Sequence, residues 1–212
     1  MVTITELNEL KSILKSDNIK NMLSLFIQKC ENDIINKNDN RSNIKSFISY
    51  FNKTTKKLND ILKKSYYLDN SQIITNSYFA LKLNKDDYIT TIEAHKPSEK
   101  ILAFEGVNRI IENNNNGNIK INKNTLINYC KLYKYIKIVF DENITILFDS
   151  ELLKNVLYVF NNNILTFNYS IISNTRPLKI IDEKSGSSGV ILGMRYTNDE
   201  NITTINIKDI EA

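Results

Sequence analysis

The side chains able to do chemistry are few and scattered along this chain. His95 is the single histidine, and it stands between Ala94 and Lys96 just before Pro97. General acid–base catalysis needs a partner beside it, and metal binding needs further soft ligands. The local sequence provides neither, so His95 reads as a surface or strand-end residue. Cys30 and Cys130 lie a hundred residues apart, each with apolar neighbours at helical spacing, which predicts buried free thiols rather than a disulfide. The acidic doublets Asp86-Asp87, Asp141-Glu142 and Asp199-Glu200 fall where turns are predicted, positions that favour Asp for backbone hydrogen bonding. Nothing selects any of them as a magnesium site. A Walker loop, a Rossmann glycine fingerprint, a G-x-S-x-G elbow and a locally spaced Cys–His pair are all absent from the sequence. The expectation is a protein that binds rather than catalyses, with no cofactor and no metal. A small enzyme whose catalytic groups meet only in the fold stays open as an alternative.

The elements that position these residues follow from hydrophobic periodicity. Thr3 and Glu6 have capping-box spacing ahead of Leu7, Leu10, Ile13 and Leu14. A second stripe runs from Ile19 through Met22, Leu23, Phe26, Ile27 and Cys30 to Ile34 at a period of 3.6. Residues 36–43 are polar and predict a loop. A third helical pattern starts near Ser42 and runs through Ile44, Phe47, Ile48, Phe51, Thr55, Leu58 and Ile61 to Leu62. Its opposite side carries Lys45, Lys53, Lys56 and Lys63, with Lys57 and Lys64 at the flanks. That side is either a solvated helix face or a phosphate-contacting one.

From Tyr66 the texture turns to β. Short runs of β-formers at 66–68, 73–75, 78–83, 89–94 and 100–104 are separated by Asp, Asn, Ser and Pro. The Asn-rich tract at 113–118, with Gly117, predicts a turn or flexible loop. A strand at 119–121, a helix at 125–136, strands at 137–140 and 144–148, and a helix at 150–160 follow. Strands at 165–171, 178–181 and 190–196 close the body, with 184–189 as a mobile hairpin connection and 202–207 as an edge strand. The predicted class is α+β: antiparallel sheets with packed helices (residues 42–212), preceded by a helical N-terminal segment (1–41).

Composition narrows the partners. The 212 residues suffice for one large domain or two small ones. Asn, Ile and Lys are abundant against five Gly, two Pro and no Trp, a pattern common in chains encoded by AT-rich genomes such as those of low-GC bacteria and their phages. Net charge is +4, and only four of the 28 basic residues are Arg, namely Arg41, Arg109, Arg176 and Arg195. Lys attracts phosphate without reading bases, whereas base reading prefers the Arg fork, so sequence-specific DNA recognition is not expected. No secretory h-region opens the chain and no apolar run is long enough to span a bilayer. A cytoplasmic protein without membrane contact is predicted.

Two stretches carry a resemblance. Ile74-Thr75-Asn76-Ser77-Tyr78-Phe79-Ala80-Leu81 is similar to the A-T-D-G-H-R-L-A strand-turn of the bacterial β-type sliding clamp of the replicative DNA polymerase. Further on come Phe148-Asp149-Ser150-Glu151-Leu152-Leu153-Lys154-Asn155-Val156-Leu157, a strand at 164–169, Arg176-Pro177-Leu178-Lys179-Ile180, and Gly189-Val190-Ile191-Leu192-Gly193-Met194-Arg195. In order and spacing these resemble the clamp's F-x-x-x-Y-L-x-D-A-L helix, its strand, R-P-L-x-I, and the closing L-M-P-M-R. Phe104-Glu105-Gly106-Val107-Asn108-Arg109-Ile110-Ile111 is a fainter likeness to E-G-x-Y-P-D-x-x-R-V-I and lacks its Y-P-D core. Gly193 stands where the family has proline, and Asn76-Ser77 where it has Asp-Gly.

The resemblance is to a reduced, phage-like form of the clamp. It implies helices lining one face of curved antiparallel sheets, duplex DNA contacted without sequence preference, and a replication partner tethered through a short peptide. By position the DNA contacts would be Lys45, Lys53, Lys56 and Lys63. The peptide pocket would use Thr75, Ser77, Tyr78 and Ala80 with Leu192, Gly193 and Met194, the small residues leaving space and the large ones walling it. A chain this short would need to self-associate to close a ring. The alternative is a phage-type interaction protein that uses the fold to bind and inhibit or redirect a host protein.

Overall fold

The computed structural model describes residues 26–27, 41–68, 70–95, 106, 111, 118–142, 144–169, 177–194 and 201–212. The helices expected at 3–14 and 17–34 lie outside these residues apart from helical Phe26 and Ile27, as do Cys30, the strand expected at 100–104, Asp199-Glu200, Arg109, Arg176 and Arg195.

Helix α1 (Ser42–Thr55) buries Ile44, Phe47, Phe51 and Thr55, one stripe at the helical period. Phe47 stacks along the helix on Phe51, with ring centroids 6.2 Å apart, and meets Phe79 edge-on at 5.7 Å. The helix stops earlier than its apolar pattern predicts. The Thr54 hydroxyl donates back to Tyr50 O and Phe51 O, and the Thr55 hydroxyl to Phe51 O at 2.7 Å, a back-bonding that competes with the main-chain ladder in the last turn. Asn59 then caps a separate 3-10 turn, Asp60–Lys63.

A seven-stranded sheet forms the body. Its strands are β1 (Tyr66–Leu68), β2 (Ser71–Thr75), β3 (Phe79–Leu83), β4 (Ile119–Asn122), β7 (Ile164–Tyr169), β8 (Leu178–Ile181) and β9 (Ser188–Ile191). Their order is β1-β2-β3-β9-β8-β7-β4, antiparallel at every pairing. A smaller sheet has β5 (Tyr135–Val139) at its centre, antiparallel to β6 (Thr145–Asp149) and parallel to β10 (Ile202–Asn206). The registers put Ile74, Leu81, Gly189, Ile180 and Phe167 in one row of the large sheet. Apart from the glycine, that row joins the main core with α1, α2 (Lys123–Leu132) and α3 (Ser150–Val159). Helix α3 lies against both α1 and α2. It is buried almost all round because it sits between two helices and the sheet.

Four further sequence expectations need correction. Residues 89–94 are not a strand: the Gln72 side chain accepts from Ile89 N at 2.8 Å and donates to Ile89 O at 2.9 Å, occupying the groups a strand partner would use. Helix α2 ends at Leu132, because Tyr133 is extended and Tyr135 and Ile136 pair with Asp149 and Phe148 in the small sheet. The closing strand ends at Ile191, and the chain then leaves the large sheet. The 184–189 connection is tied down: Asp182 Oδ1 accepts from Lys184 N at 3.0 Å, Gly186 N donates to Asp182 O at 2.8 Å, and Asn84 Nδ2 donates to Ser185 O at 2.8 Å. Gly186 turns the chain at φ +73°, a left-handed conformation that favours glycine. The remaining strands and α3 fall within two residues of their expected bounds.

Candidate functional site

The β2–β3 turn is built by Asn76. Its Oδ1 accepts from Tyr78 N at 2.8 Å and Phe79 N at 3.0 Å, while its Nδ2 reaches Thr54 Oγ1 at 3.3 Å at the end of α1. The Thr75 hydroxyl donates to Phe79 O at 2.7 Å. With its polar groups satisfied internally, the turn projects Ser77 and Tyr78 outward, and Tyr78 is 57% exposed. Next to it passes the segment that follows β9. Leu192 N donates to Tyr78 O at 2.9 Å, and two residues later Met194 N donates to Leu147 O of β6 at 2.7 Å. Leu192 and Gly193 are half-buried and Met194 is 39% exposed.

The fold therefore brings Ser77, Tyr78, Leu192, Gly193 and Met194 together at the surface. Thr75 and Ala80 lie beneath them: they pair across the ladder, and Ala80 is buried in a small cluster with Val190 and Ile111. Ala80 is thus buried and leaves no space at the surface.

Beside these residues lies a polar edge that sequence reasoning did not single out. Leu147 and Met194 form an isolated antiparallel bridge, and Asp149 stands two residues beyond Leu147, at the end of β6. Asp149 caps α3 through Oδ1, accepting from Leu152 N at 2.9 Å. Glu151, in the first turn of α3, lies 3.6 Å from Lys53 Nζ on α1. Tyr50 precedes Lys53 by one helical turn and packs partly buried against the core. Burial raises its phenol's pKa, and the charges of Asp149 and Glu151, then Tyr78, add to that rise. The D-x-x-L cap spacing of Asp149 was legible as a helix start; that Asp149 and Tyr78 both act on Tyr50 was not, because the two are 71 positions apart.

Of the expected phosphate-contacting lysines, Lys45 and Lys53 stand on the exposed side of α1 and Lys56 at its C-cap. Lys63 lies beyond the helix, in the 3-10 turn, 2.7 Å from Asp60.

Other chemistry-bearing groups are occupied structurally. His95 Nε2 sits 2.9 Å from Ile61 O. Cys130 is a buried free thiol whose pKa burial pushes up to about 12. Asp87 is wholly buried and accepts from Ser187 Oγ at 2.7 Å and from Asn161 Nδ2. Among the described residues, no group of three or more His, Cys, Asp or Glu is placed to hold a metal ion. Nor is any helix among them long and apolar enough to cross a membrane.

No family model matches the sequence, and no curated protein matches it. Solved structures do. The DnaN sliding clamp (DNA polymerase III subunit β) of Bartonella birtlesii, bound to griselimycin, aligns with a TM-score of 0.50 at 10% identity, covering 73% of this chain and 65% of that one. The fold is clamp-like. A putative DNA polymerase III β subunit from Eubacterium rectale aligns at 0.47 and 10% identity over 71% of this chain and 64% of that one. The β chain from Streptococcus pneumoniae does so at 0.43 and 13% identity over 72% and 62%. This clamp-like chain thus matches somewhat less than two thirds of the length of each clamp.

Proposed function

We propose that this clamp-like chain is a non-enzymatic tethering module that lies against duplex DNA without reading its sequence and holds a partner protein by a short peptide. The observation that carries this reading is the juncture at Tyr78: the β2–β3 turn and the segment after β9, joined by Leu192 N to Tyr78 O at 2.9 Å, present exposed apolar side chains on a rigid base. Large apolar groups left in water on a well-hydrogen-bonded scaffold are what a peptide anchor covers. On the opposite account the lysines of α1 are ordinary solvated residues; their location on one clamp-like helix face favours phosphate.

The experiment has two arms. Wild-type protein should be retained by duplex DNA of any sequence at about 50 mM salt and released steeply as salt rises, because phosphate neutralisation releases counterions. Replacing Lys45, Lys53 and Lys56 together by Glu should abolish retention, while Lys63→Glu should leave it nearly unchanged. Gly193→Trp should fill the groove and abolish binding of a peptide with aliphatic and aromatic anchors, with thermal melts as the folding control. Absence of duplex retention by wild type removes the DNA contact. Absence of peptide binding to wild type at about 1 mM removes the tethering. A chain that encircles DNA as a ring of copies must self-associate, so a strict monomer by light scattering transfers the reading to an interaction protein that binds a host factor.

A further inference from the structure

The groove has an asymmetric edge, and the asymmetry is one of charge. Starting from Tyr78, its perimeter passes through Leu192 by a main-chain hydrogen bond and Met194 to Leu147 by another. It continues along β6 to Asp149, into α3 at Glu151, across to Lys53 of α1, and back past Tyr50 to Tyr78. The apolar half of this perimeter is Tyr78, Leu192 and Met194. The polar half holds two carboxylates and one ammonium, Asp149, Glu151 and Lys53, so it is net negative in a protein whose net charge is +4. The Asp149 carboxylate is fixed by its cap to Leu152 N at 2.9 Å, while Glu151, in the first turn of α3, holds an exposed carboxylate 3.6 Å from Lys53 Nζ. Tyr50 stays a neutral phenol beside them and contributes an O–H donor rather than a competing charge.

We infer that the partner segment held in this groove carries a Lys or Arg next to its apolar anchor, and that Asp149 and Glu151 select for that positive charge. The inference rests on the tethering reading and specifies the partner's chemistry. An anchor seated against Tyr78, Leu192 and Met194 lies within one or two residues' reach of Asp149, which follows Leu147, the bridge partner of Met194, by two residues along β6. A neighbouring carboxylate on the ligand would meet the same two anions and be repelled. Ligand charge at a rim discriminates through attraction of one partner and repulsion of the other. Lys53 already lies 3.6 Å from Glu151 in an exposed pair, an arrangement loose enough for an incoming guanidinium to share or replace it.

The test uses the full chain and two fluorescein-labelled eight-residue peptides with the same Leu and Phe anchors, one flanked by two arginines and the other by two glutamates. Titration by anisotropy at about 50 mM salt should show the arginine peptide binding roughly fivefold more tightly, a ratio in the range of exposed charge pairs. In the double variant Asp149→Asn, Glu151→Gln the two affinities should converge to within about twofold. Asn caps helices about as well as Asp, so α3 remains folded in that variant. Equal binding of both peptides to wild type overturns the charge selection and leaves the groove standing. A ratio unchanged in the double variant also overturns it, by placing the selecting charge elsewhere. Binding of neither peptide removes the groove itself, and the charge selection with it.

Discussion

Gly189 sits where the three N-terminal strands of the large sheet join the four C-terminal ones. It pairs with Leu81 of β3 on one side and Ile180 of β8 on the other. A Cβ placed there would stand 2.7 Å from Leu81 Cδ2, 3.2 Å from Ala80 O and 3.3 Å from Phe160 Cζ. Carbon atoms prefer about 3.5–4.0 Å, and Leu81 and Phe160 are almost completely buried, so the methyl cannot be accommodated by moving one side chain into water. Overpacking of this kind costs about 1–3 kcal/mol. Replacing Gly by Ala recovers about 0.5–1 kcal/mol of backbone entropy, leaving a net loss of about 1–2 kcal/mol for Gly189→Ala. In a chain of this length each kcal/mol moves the midpoint by about 2–4 °C, so the melting temperature should fall by about 3–6 °C. Calorimetry reads the midpoint, and urea titration reads the free energy. Adding Leu81→Ala removes the nearest contact, so the double variant should be less destabilised than the sum of the single changes by at least about 0.5 kcal/mol. A Gly189→Ala protein that melts at or above wild type, or strict additivity in the pair, refutes the reasoning.

Two further outcomes follow from buried titratable groups. Burial raises the Asp87 carboxyl above its ordinary 3.8, against the opposing hydrogen bonds of Ser185 and Ser187. Its contribution is therefore most favourable below the unfolded value and declines as pH rises through the folded one. The stability of Asp87→Asn relative to wild type should shift in the variant's favour on going from pH 3.5 to 7, read by urea titration; a difference independent of pH would contradict this. Cys130, pushed up to about 12 by burial, should react with a disulfide reagent at pH 8 at least about a hundredfold more slowly in the native protein than in urea, in a Cys30→Ser background. Equal rates would show the thiol to be accessible.

The sequence by itself determined the elements whose signals are local. Helix α3 is legible because Leu152, Leu153, Val156 and Leu157 recur at the helical period directly behind the capping Asp149. Strand β8 matches its expected bounds because Leu178, Ile180 and Ile181 make a short apolar run bounded by Pro177 and Asp182. The two segments that meet at Tyr78 were legible as motifs, and the fold brought Tyr78 beside Leu192.

Tertiary structure decided whatever depends on a partner distant in the chain. Residues 89–94 have strand-forming side chains, yet the amide of Gln72 bonds Ile89 and no strand forms. Lys63 continues the lysine spacing of α1, but the helix ends at Thr55 and Lys63 falls in a separate 3-10 turn. Strand β10 runs parallel to β5 across more than sixty intervening residues, a pairing that no local pattern encodes. Asp86-Asp87 reads as a turn and is one, whereas the burial of Asp87 depends on Asn161 and Ser187 arriving from 74 and 100 residues away. The acidic rim came the same way, from placing α3 against α1 so that Glu151 meets Lys53. Periodicity and capping act over one turn or one strand, so the sequence displays them directly. Pairing register, burial of charge and the rim of a groove are set by which distant surfaces pack together, and that is fixed only when the whole core closes.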